Sequence, residues 1–148
     1  MIWISAALVF GLAIVGSFGL GQFRKRVRRR AVRPGEGEQI LLTASGLSAR
    51  VFVDRDLLAG PRAGTINRSR IDLLLSQDRL LAASHHGRLL ELTERTGGSV
   101  RSTGPNRLVI EGRRPGQGAR VRIEILCDRA EDWARAAEDA IHTSRSAA

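Results

Sequence analysis

The chain has 148 residues, a formal net charge of +9 and only 4% aromatic side chains. Setting aside an uncharged stretch over the first 23 residues and the basic run after it leaves about 110 residues, one domain's worth and too few for a multidomain enzyme. A hydrophobic content of 43%, with alternating apolar patterns beyond residue 38, argues against a wholly disordered chain.

Ile2 to Phe23 contain no charge, and as a helix this run spans roughly 33 Å, slightly more than the ~30 Å hydrocarbon core of a bilayer. A secretory signal peptide would place positive charge ahead of a shorter apolar region and a cleavage site behind it. Here the cations follow, so residues 1–23 are expected to form a single transmembrane helix oriented N-out and C-in. Trp3 and Phe23 stand at its two interfaces, while Gly11, Gly16, Gly19 and Gly21 permit helix approach without forming a strict G-x-x-x-G pair. Arginine outnumbers lysine 23 to one and alanine is plentiful, a composition typical of a GC-rich bacterial genome. The expected location is therefore the inner membrane, with the C-terminal domain in the cytoplasm.

Residues 24–38 read as a basic juxtamembrane linker. Seven of the 24 basic residues fall here: Arg24, Lys25, Arg26, Arg28, Arg29, Arg30 and Arg33. They fix orientation, and they are the candidate contacts to anionic lipid at about 1 kcal/mol each near the surface. Pro34, Gly35 and Gly37 discourage continuation of the helix. The other 17 basic residues face all 15 acidic ones, so the chain from Pro34 onward carries only +2. A nucleic-acid-binding domain usually spreads an excess over one face, so nucleic acid is not expected as a partner.

From residue 39 onward the pattern has period two. Ile40, Leu42 and Ala44 suggest one strand, and Leu47, Ala49, Val51 and Val53 a second. Residues 54 to 69 are polar and contain Gly60, Pro61 and Gly64, which predicts a long loop. Arg70 to Ser76, Leu80 to Ser84 and Leu89 to Thr93 follow as strands, separated by turns at Gln77-Asp78-Arg79 and His85-His86-Gly87-Arg88. After Gly97-Gly98 come Val100 to Thr103, a Gly104-Pro105-Asn106 turn, and Arg107 to Glu111. In the last strand Ala119, Val121, Ile123 and Ile125 point inward, with Arg120, Arg122 and Glu124 facing water.

Asp128, with Glu131 three residues on, predicts a helix start in which Asp128 caps an unpaired N–H. The helix is expected to reach about Thr143, with Ala130, Trp133, Ala137, Ala140 and Ile141 on one face, so Trp133 must pack on the sheet.

About seven antiparallel strands followed by one C-terminal amphipathic helix resembles a pleckstrin-homology-like (PH-like) domain over about residues 36 to 143. The residues carrying the likeness are Glu36 to Leu42, the Leu73-to-Leu81 hairpin around Gln77-Asp78-Arg79-Leu80, and the helix with Trp133 facing in. The resemblance implies a mainly-β cytoplasmic domain over residues 39–148, a bent sheet or barrel capped by the helix. It also implies a binding role toward lipid or protein. The Lys-x-Arg motif of lipid-binding members does not occur in the first hairpin, so that ligand does not carry over. A nuclear-transport-type α+β cone and a small β-barrel are the alternatives, and the helix-last order favours the PH-like reading. A bent sheet also leaves an edge able to take up an extended peptide.

Catalytic constellations are not found. Cys127 is the single cysteine, so there is neither a disulfide nor a Cys-x-x-Cys motif, and its place at a strand end suits a small core residue. His85 and His86 are adjacent and only His142 remains, too few for a metal site; no cofactor is expected. The glycine stretches 97–104 and 112–118 lack the order of a phosphate loop. Arg113 and Arg114, in a loop closed by Pro115 and Gly116, offer two guanidinium groups to phosphate or carboxylate and are the candidate partner-binding loop. The Asn67-Arg68-Ser69 sequon would not meet its transferase in the cytoplasm.

The sequence thus predicts a non-catalytic, membrane-anchored binding or scaffold module that presents a PH-like domain for protein or anionic-lipid contacts. The alternative is a small accessory subunit of a membrane transporter or envelope-synthesis complex.

Overall fold

The computed structural model describes residues 22, 26, 31–54, 65–116 and 118–146. The expected membrane-spanning segment over residues 1–23 lies outside these apart from Gln22, as do Arg24, Lys25, Arg28, Arg29 and Arg30. Among the described residues no helix is long and apolar enough to cross a membrane.

Seven strands run in chain order: β1 (Ile40–Asp54), β2 (Thr65–Ser76), β3 (Arg79–Ser84), β4 (Gly87–Thr93), β5 (Ser99–Ser102), β6 (Arg107–Arg113) and β7 (Arg120–Leu126). One helix, α1 (Ala130–Ser146), follows them. All strand pairs are antiparallel, in the spatial order β4-β3-β2-β1-β7-β6-β5. Two meanders are therefore joined side by side through β1. Residues 49–53 of β1 pair with β2 on one side and with β7 on the other, whereas its first half pairs with β2 alone. This mainly-β architecture with a helix last is consistent with a PH-like fold.

The two strands expected over residues 40–53 are one. Its apolar period slips between Ala44 and Leu47 because an extra residue is accommodated there as a β-bulge opposite Leu73 and Ile71. Gly46 takes φ 70°, which a side chain would resist. The buried Asp72 accepts a hydrogen bond from the Gly46 N–H at 2.7 Å, and Arg70 Nη1 donates to the Gly46 carbonyl at 2.9 Å. Bulged backbone groups that would lack ladder partners are thus satisfied from β2. The predicted loop over 54–69 is also shorter than expected, since β2 begins at Thr65. Its first residues have no apolar alternation to betray them, and they are extended because they pair with residues 49–53 of β1.

Alternation elsewhere follows the pleat. Ile71, Leu73, Leu75, Leu80, Leu90 and Leu92 from the first meander meet Leu108, Ile110, Val121, Ile123 and Ile125 from the second in a single core. Ala130, Trp133, Ala137 and Ala140 of α1 join that core, and Trp133 is buried as expected. Leu74, Leu81 and Ala83 are buried on the opposite face of β2 and β3, the face that also carries Arg79.

The helix starts differently from the sequence expectation. Asp128 and Arg129 form a turn, with Arg129 in the left-handed region at φ 65°, and α1 begins at Ala130. The first helical N–H donates to the Pro105 carbonyl at 3.3 Å, so the β5–β6 turn supplies an acceptor where Asp128 was expected to do so. Arg129 Nε bonds Asp132 Oδ2 at 2.7 Å within the first turn.

Gly98 lies where the β4–β5 connection folds over β6. Its φ is 135°, and a Cβ there would stand 2.6 Å from the Glu111 carbonyl oxygen and collide with Leu92. Gly98→Ala should therefore destabilise the domain by roughly 2 kcal/mol, through both backbone strain and overpacking. Thermal unfolding of the purified chain followed by circular dichroism measures this; an unchanged midpoint would show that the turn relaxes freely.

Candidate functional site

Two arrangements of charged side chains stand out. The first fastens the linker to the sheet. Arg79, the first residue of β3, donates from Nε and Nη2 to the two oxygens of Glu38, each at 2.7 Å, and from Nη1 to Glu91 Oε1 at 3.1 Å. Glu91 in turn accepts from Arg88 Nη1 at 2.9 Å. The fork-to-fork geometry is the strong form of the arginine–carboxylate pair. Glu38 also accepts from the Gly35 N–H, and Gln77 holds Gln39 through its side chain at 2.6 Å and its backbone N–H at 3.3 Å. The Arg79 guanidinium holds the Glu38 carboxyl far below its ordinary 4.5, at about 2, against the opposing effect of its burial. The same bond pushes Arg79 upward.

The second arrangement is a face. Cross-strand register places alternate residues of β5, β6, β7, β1 and β2 in three rows on one face. One row runs Arg101, Val109, Glu124, Arg50, Arg68; the next runs Ser99, Glu111, Arg122, Phe52, Ile66; the last runs Arg113, Arg120, Asp54. These three rows hold six arginines and three acidic residues, a local excess of +3. The net +2 from Pro34 onward conceals this segregation, because Glu131, Asp132, Glu138 and Asp139 are set apart on α1.

Within the face, Arg122 is committed. It bonds Glu124 at 2.9 Å, lies 3.6 Å from Glu111, and has its guanidinium carbon 6.0 Å from the Phe52 ring centroid. Arg101 reaches Glu111 at 3.2 Å. Arg113 and Arg120 stand directly opposite each other, both exposed, and among the described residues neither makes an ion pair. A groove of about 670 Å³ opens beside them, walled by Phe52, by Gly97, Gly98 and Ser99, and by the Gly112–Arg113 end of β6. That glycine turn is held in place: the Thr96 hydroxyl donates to the Glu91 carbonyl at 3.0 Å and accepts from the Thr93 N–H at 2.9 Å.

The sequence-predicted site residues are distributed unevenly. Arg26 and Arg33 are described and exposed, while the remaining five cations of the run fall outside the described residues. Arg113 borders the groove, but Arg114 is part of the turn, its N–H donating to the Ala119 carbonyl at 2.8 Å. The structure therefore couples Arg113 to Arg120 and Arg122 of the next strand. Those two were read from sequence only as the solvated side of β7. Cys127 is buried, and burial raises its thiol pKa. The His85 and His86 rings have centroids 3.7 Å apart and are tilted by 42°, and among the described residues no cluster of three potential metal ligands forms.

Compared with known proteins, the chain matches no protein-family model and no curated sequence.

The depressed Glu38 value fixes a pH dependence. The carboxylate contributes stability in full above its ordinary value, and that contribution is lost as pH falls from about 4.5 toward about 2. Glu38→Gln should lower the thermal midpoint at pH 6, and the gap to wild type should narrow steadily below pH 4.5. A gap that stays constant down to pH 3 would assign the effect to packing.

Proposed function

We propose that the chain is a single-pass membrane-tethered binding module. In this reading residues 1–23 span the inner membrane N-out and C-in, and a PH-like domain sits at the cytoplasmic surface for protein or anionic-lipid contacts. The observation that carries it is the clamp of Glu38 between Gly35 and Arg79. A linker bonded to the sheet only five residues after Arg33 leaves a short span between the basic run and the domain, which supports a position close to the bilayer. Ile40 and Leu41, 44% and 43% exposed, lie just past the clamp, where an interfacial contact would cover them. The basic run contributes orientation and attraction to anionic lipid, which a spanning helix supplements rather than needs. The role is binding rather than catalysis because the prominent surface chemistry is a set of guanidinium groups on a rigid sheet, the arrangement suited to recognising acidic groups.

Fractionation and topology test this directly. The full-length protein should remain in the membrane pellet after carbonate and high salt, and a C-terminal reporter should read cytoplasmic. Release by carbonate, or an extracytoplasmic reporter, would refute the tethering. Exchanging residues 2–23 for an unrelated spanning helix should leave partner capture intact; loss of assembly would favour an accessory subunit.

A further inference from the structure

We infer that the groove beside Arg113 and Arg120 is a binding site for a phosphoryl group. This goes beyond the tethering reading and does not depend on it. Arg113 and Arg120 are register partners at the ends of β6 and β7, and like charges placed directly opposite on a sheet face repel. The pair has Asp54 as its neighbour in the row, and the three rows together hold an excess of three positive charges. The two carboxylates that line the groove, Glu111 and Glu124, are already bonded to Arg101 and Arg122. What remains is a pair of planar forks facing a cleft.

Charge and size decide the ligand class. A carboxylate brings one negative charge and two acceptor oxygens, whereas a phosphomonoester brings about −1.5 to −2 and three acceptors. Two guanidinium groups on an already positive face match the second. The groove, at about 670 Å³, has room for an organic body beyond the phosphoryl group, and the Phe52 ring and glycine turn form walls against which it would rest. Position separates the site from the juxtamembrane run. It lies at the Asp54 end of β1, while the linker joins at Ile40, up to roughly 45 Å away along the strand.

The test uses the full-length protein in detergent, with inorganic phosphate as the probe and chloride at matched ionic strength as the reference. Phosphate at about ten times its dissociation constant should raise the wild-type thermal midpoint by roughly 5 °C. In the double variant Arg113→Gln, Arg120→Gln the rise should disappear. Without phosphate this variant should melt no lower than wild type, since the repulsion is gone; this also shows that it folds. Arg107→Gln, on the same strand but outside the groove, should keep the phosphate response. Amide resonances of Gly97 and Gly98 should move with phosphate in the wild type alone. A midpoint that rises equally in wild type and double variant, or in neither, overturns the proposal. The source of the phosphoryl group is then read from a water-soluble inositol phosphate and from vesicles carrying the same headgroup. Stabilisation by the soluble compound assigns the site to soluble phosphates, and stabilisation by vesicles alone assigns it to lipid.

Discussion

The double pairing of β1 is the constraint on which the rest of the domain depends. Residues 49–53 are paired with β2 and β7 at once, so this one segment is where two independent meanders become one sheet. Without it, the inner faces bearing Leu73, Leu75 and Leu90 and those bearing Ile110 and Ile123 would each expose an apolar surface. Neither half has a core alone. The bulge at Gly46 follows from the same demand. It separates the half of β1 that serves both meanders from the half that serves only the first, and Asp72 and Arg70 satisfy the backbone groups it displaces.

The position of the charged surfaces follows from that geometry. The outward residues of the doubly paired segment, Arg50 and Phe52, lie in the same rows as Glu124 and Arg122 of β7. The arginine face therefore straddles the seam between the meanders. The linker clamp occupies the other end, where β1 has one partner and Arg79 of β3 can reach Glu38. One strand thus separates the linker clamp from the arginine face.

How much of this could be read from residues alone depends on the range of the interaction. Strands such as Val121 to Ile125 and Arg70 to Ser76 were predictable because one buried face writes an alternation into local sequence. The inward Trp133 was predictable for the same reason, with period 3.6 in place of two. The single β1 was not, because a bulge shifts the phase of the alternation and imitates a chain break. Thr65 to Ser69 gave no signal either, since a strand held by pairing with β1 needs no apolar stripe of its own. Of the candidate loop, Arg113 was found, but its partner Arg120 belongs to another strand. The register that unites them is set by long-range pairing, which no local window contains. Likewise Glu38 and Arg79, 41 residues apart, have no sequence pattern to link them.

The antiparallel contact between β1 and β7 also imposes an order of events during synthesis. Residues 49–54 leave the ribosome long before residues 120–125, so the nascent β1–β4 meander presents an open hydrogen-bonding edge to any passing strand. Arg50 and Asp54 punctuate that edge with charge, a pattern that discourages intermolecular pairing while the chain waits for its own last strand.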